Sequence, residues 1–81
     1  MDIILIINLI GWLGSMAVLL AYVLVSTNRL KGDSISYQTL NLFGSIFLMT
    51  NTLYFGAYPS TFVNLVWLFI AIFALIRANR K

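Results

Sequence analysis

Apolar residues fill three stretches of this chain, and polar residues gather at the joints between them and at spaced positions inside them. The stretches cover 3–25, 37–56 and 60–77. As helices they measure about 25 to 34 Å at ~1.5 Å per residue. Crossing a ~30 Å hydrocarbon core takes roughly 20 residues. The third stretch is the shortest, and Arg77 can carry its aliphatic stem to the interface. All three are too long and too uniformly apolar for the alternating strands of a barrel, so the pattern predicts three transmembrane helices in one domain.

The joints carry their own signals. In "STNRLKGDSIS", Asn28 and Gly32 read as stops, while Asp33, Ser34 and Ser36 can cap the helix that follows. In "GAYPS", Pro59 fits the first turn of a helix, where its missing N–H costs nothing. A joint this short makes helices two and three antiparallel neighbours.

Composition removes whole classes of chemistry. The chain is 62% hydrophobic and 9% charged, with a mean hydropathy of +1.00. Soluble domains carry about 25% charged residues. There is no histidine, cysteine or glutamate, and the two acids, Asp2 and Asp33, both lie outside the apolar stretches. Thiol chemistry, thiolate or imidazole metal sites and Ser/His catalysis are therefore excluded. No carboxylate pair is available for acid–base work in a membrane interior. The expectation is a non-enzyme with no cofactor and no metal.

Charge adds direction. The basic residues Arg29, Lys31, Arg77, Arg80 and Lys81 flank apolar stretches, which points to membrane topology rather than to nucleic acid. With three spans they all fall on one side, so the positive-inside rule predicts an outer N-terminus and an inner C-terminus. Helix one has no basic residue before it and is expected to act as an uncleaved anchor.

At ~100° per residue, Asn8, Gly11, Ser15, Tyr22 and Ser26 of helix one share an arc of roughly 60°. Ala17 and Ala21 form a second small pair. In helix two, Asn41, Gly44, Ser45, Asn51 and Thr52 gather on one side, opposite an oily face of Phe43, Ile46, Phe47, Thr50, Leu53 and Tyr54. In helix three, Asn64, Trp67, Ala71 and Ala74 form a stripe. Helices in lipid associate through small residues and side-chain hydrogen bonds. Asn8, Gly11, Ser15, Asn41, Gly44 and Ser45 are read as packing residues on that ground. Asn51, Asn64 and Trp67 combine amides with an indole, a surface suited to a polar ligand with one flat apolar face. Three helices cannot enclose a polar route, so a homodimer with polar faces inward is expected.

The "GDSIS" connection (Asp33, Ile35, Ser36), the "LYFG" closing helix two (Tyr54, Gly56) and the "VNLVW" of helix three (Asn64) resemble SemiSWEETs, the bacterial half-transporters of the SWEET and PQ-loop superfamily. The resemblance spans roughly 11–76. It implies a triple-helix bundle in the order 1-3-2, a parallel homodimer in the bacterial inner membrane, and alternating-access movement of sugar through a central pocket. The family's pocket asparagine falls on Asn64. Its helix-two tryptophan falls on Asn51, and the sequence instead carries Trp67 one turn beyond Asn64. The family's Pro–Gln hinge has no counterpart near Leu24 and Val25, where Tyr22 is the nearest polar residue; Gly11, Gly14 and Gly44 are the candidate substitutes.

Two functions follow as expectations. One is facilitated movement of a small neutral polar solute, with Asn64, Trp67, Asn51 and Tyr22 facing it. The other is a non-transporting membrane protein that supports a larger complex, its polar stripes packed on other helices and its exterior on lipid.

Overall fold

The computed structural model describes residues 2–79, which form three α-helices: α1 (Ile3–Ser26), α2 (Ile35–Tyr54) and α3 (Tyr58–Asn79). Arg80 and Lys81, counted with the basic residues above, lie outside the described residues.

Each boundary has a local cause. The Asp2 carboxylate accepts from the Ile4 amide at 3.1 Å and opens α1. Ser34 does the same for α2 by accepting from the Tyr37 amide, so the helix begins at Ile35, ahead of the apolar stretch. Both α1 and α2 end in one motif. Past α1, the Asn28 amide donates to the Val25 carbonyl and the Arg29 amide to the Leu24 carbonyl, with Asn28 left-handed at φ 61°. Past α2, the Gly56 amide donates to Leu53 and the Ala57 amide to Thr52, with Gly56 at φ 74°. That turn ends α2 at Tyr54 and lets α3 start at Tyr58, with Pro59 in its first turn.

α2 is the central helix. It packs on α1 along one side and on α3 along the other, and among the described residues no Cα atom of α1 comes within 8 Å of one of α3. This corrects the order 1-3-2 implied by the SemiSWEET resemblance: here the sequence order and the spatial order coincide. All neighbours are antiparallel. Ile7 meets Asn51 near one end, and Gly14 meets Gly44 further along.

The α1–α2 contact is a close backbone approach. A Cβ on Gly14 would lie 2.8 Å from the Phe47 Cβ and 3.0 Å from the Gly44 carbonyl oxygen. One on Gly44 would lie 2.6 Å from a Val18 methyl and 3.2 Å from the Gly14 carbonyl oxygen. Phe47 therefore packs against α1 and is half-buried, rather than belonging to an oily outer face.

Central placement also explains where the polar residues went. The buried residues of α2 are Gln38, Asn41, Gly44 and Ser45, and those of α1 include Gly11, Gly14 and Ala21; α3 buries Ala71. The exterior is oily, with Leu13, Leu19, Phe62, Phe69 and Phe73 all exposed. α1 and α3 are each long and apolar enough to cross a membrane, and only 17% and 6% of their most apolar windows are buried. A core helix of a soluble protein would be mostly buried. α2, by contrast, is not apolar enough to qualify as a span by the same measure, because its interior carries the amides and hydroxyls just named. Only as a helix flanked on two sides can it shelter them.

Candidate functional site

Two clefts lie along α2 toward the α2–α3 turn, one on its α1 side and one on its α3 side, and they form one groove where they adjoin. The first, about 230 Å³, is lined by Asn8, Gly11, Trp12 and Ser15 of α1 with Leu48 and Asn51 of α2. The second, about 460 Å³, is lined by Leu48 and Thr52 of α2 with Pro59, Ser60, Val63 and Asn64 of α3. Leu48 belongs to both, so the clefts adjoin over its side chain.

Hydrogen bonds across the helices frame the two clefts. The Asn51 amide nitrogen donates to the Ile7 carbonyl oxygen at 2.9 Å. Asn51 also fills the space above Gly11, where any side chain would collide with it. On the other side, the Thr61 hydroxyl lies 2.9 Å from the Thr52 hydroxyl, which lies 2.9 Å from the Leu48 carbonyl oxygen. The Thr61 hydroxyl also lies 3.0 Å from the Ala57 carbonyl oxygen, so the two hydroxyls share one hydrogen bond across the helices while each keeps a carbonyl of its own helix or turn within reach. Toward the other end of α2, Gln38 donates to the Gly32 carbonyl oxygen at 2.8 Å and closes the α1–α2 connection onto the helix.

No lining residue of either cleft carries charge. What the walls offer is amides, hydroxyls and one indole on an apolar floor. That set can hydrogen-bond a neutral polar molecule and cover a flat apolar face. It includes no carboxylate, imidazole, thiol or amine.

The chain belongs to a family. That family's model matches residues 7–81, and its description names no activity. No curated protein and no solved structure matches the chain.

The residues read from the sequence fare differently. Asn51 and Asn64 line adjoining clefts, one on each side of Leu48. Asn51 is partly spent, since its donor is bonded to α1. Trp67 is 45% exposed and Tyr22 66% exposed, and neither lines either of these two clefts. Among the packing residues, Gly11, Asn41, Gly44 and Ser45 are buried, while Ser15 is half-buried and lines the first cleft. Asn8, read as packing, is an exposed wall residue instead. Trp12, Thr52 and Ser60 were not singled out as site residues. The signal for Trp12 was its spacing: it stands one turn after Asn8, so the two share a helix face.

Proposed function

We propose that this is an integral membrane protein that passes a small neutral polar solute, such as a sugar, by facilitated diffusion. The observation that carries the proposal is the groove: Asn8, Ser15, Asn51, Thr52 and Asn64 converge on one side of a chain whose exterior is otherwise oily. Exposed amides are costly against lipid tails. A second copy facing the first across a twofold axis would cover the groove and enclose a cavity lined by both sets of amides. The absence of any charged lining residue favours an uncharged solute and movement down its gradient. The groove alone supports this, because the helix order differs from that of the family the sequence resembles.

The up-down-up path brings Arg29 and Lys31 to the same end as Arg77, with Asp2 and the uncharged α2–α3 turn at the other. The positive-inside rule then puts the clefts on the outer side and the basic end in the cytoplasm, as in a bacterial inner membrane.

Reconstitution into sealed liposomes with a panel of labelled sugars, polyols and small amides tests this. At least one solute should equilibrate faster than in empty vesicles. Asn64→Ala should slow it about tenfold while cross-linking still reports the dimer. An assembled protein that passes nothing in the panel would sink the proposal. A second reading, a supporting subunit of a larger membrane complex, is favoured by the Asn51–Ile7 bond, which already uses one groove amide for packing. In that case Asn64→Ala breaks assembly, and no flux is seen at any stage.

A further inference from the structure

The α2 face that floors the clefts does not stop at Leu48. Three, seven and ten residues back along the helix, on the same face, stand Ser45, Asn41 and Gln38. All three are polar and all three are buried. Ser45 is 1% exposed, and its hydroxyl has no hydrogen-bond partner. Beside them on the flanking helices, Ala21 of α1 and Ala71 of α3 are fully buried. The pairings Gly14–Gly44 and Thr61–Thr52 set the register, which puts both alanines within about a turn of Asn41 in depth.

One helix face thus carries an accessible polar half toward the α2–α3 turn and a closed polar half toward the α1–α2 connection. Leu48 is the apolar residue between them. Alanine in place of Ser45 would fit a closed interface without leaving a hydroxyl unmet. A buried, unpartnered hydroxyl in line with a solute groove makes physical sense if that surface is wetted in another conformation. Small residues on the flanking helices at this depth allow the closed half to open by a modest separation of α1 and α3, whose Cα atoms stay more than 8 Å apart among the described residues.

We propose that the solute path continues past Leu48 along Ser45, Asn41 and Gln38, and that Leu48 is the apolar gate between the two halves. This rests on the transport reading above and names the residues of its closed half. In this conformation the half near the α2–α3 turn is open and the inner half is shut.

The chain has no cysteine, so single-cysteine labelling needs no background mutations. Ser45→Cys and, as an open-side control, Ser60→Cys are reacted with a small water-soluble thiol reagent in liposomes. Each is tested with Leu48 intact and as Leu48→Val and Leu48→Ala. Val is the variant to rely on if Ala perturbs folding. S60C should label quickly and equally in all three. S45C should label slowly with Leu48 present. Its rate should rise roughly fourfold with Leu48→Val and further with Leu48→Ala, as one and then three carbons leave the seal. Solute in excess should slow the labelling of S45C. An S45C labelling rate that ignores Leu48 overturns the gate, even if solute flux is intact. Gated labelling of S45C without flux of any solute keeps the gate and overturns transport.

Discussion

The two interfaces of α2 are built on different principles. Against α1, the helix relies on shape: Gly14 and Gly44 bring backbones into contact, Gly11 makes room for Asn51, and the Asn51 amide reaches across to Ile7. Against α3, it relies on connectivity. The turn between Tyr54 and Tyr58 is three residues long, wound tightly around Gly56, and one hydroxyl pair, Thr52–Thr61, spans the contact just above it. The α1–α2 connection is eight residues, from Thr27 to Ser34. A longer tether costs somewhat more to close and leaves more freedom of approach. Both flanking helices pack along α2 to a similar extent, so the difference lies in what fixes each contact: close backbone approach against α1, a tight turn and a hydroxyl pair against α3. The clefts lie where the two interfaces diverge.

The contrast can be broken most severely at Gly14. Leucine there would meet the Gly44 carbonyl and Phe47 with no flexible group to give way. Gly14→Leu should cost about 3 kcal/mol or more, read as lost resistance to unfolding in mixed micelles. Gly32→Leu, with nothing within 4 Å, should leave unfolding nearly unchanged. Equal effects from the two would show that α1–α2 is not a close-packed contact.

The turn comes next. Gly56 sits at φ 74° with open space around it, so Gly56→Ala carries a backbone cost of about 1–2 kcal/mol and no clash. It should loosen α2–α3 and leave the α1–α2 pairing intact, which cross-linking across each interface can separate.

Asn51 sharpens the first interface. Asn51→Ala should cost about 1 kcal/mol through the lost bond to Ile7. Gly11→Ala should cost a similar amount by displacing the Asn51 side chain, and the double variant should cost less than the sum of the two. Additive costs would mean that Gly11 and Asn51 do not share that space.

The smallest effect belongs to the hydroxyl pair. Thr61→Val keeps the shape and removes the hydroxyl bond to Thr52, and it should cost only about 0.6 kcal/mol with solute flux unchanged. A larger loss would show α3 to depend on this bond rather than on its turn.

That Asn64 lines a cleft accords with a lone amide in an apolar helix having few places to go. Trp67 lies one turn from Asn64, but a helix face that can meet a ligand can equally meet lipid, and here its side chain is a little under half exposed. Trp12 fell outside the polar arc of α1, and it became a wall residue only when α2 settled beside Gly11.

By itself, the sequence determined what local rules control. These are three helices, the stop at Asn28, the cap at Ser34, Pro59 in the first turn of the third helix, an exterior too oily for water, and an interior without acids, histidine or cysteine. Caps, turns and side-chain inventories act within a few residues, so they can be read along the chain. Tertiary structure decided which helix stands in the middle, that Asn51 is spent on Ile7 while Asn64 stays in a cleft, and that Leu48 joins two clefts rather than facing lipid. Those outcomes depend on pairs as distant as Ile7 and Asn51, 44 residues apart. Periodicity tells which way a side chain points around its own helix. It does not tell which helix will be there to receive it, since that is settled by how closely two backbones can approach.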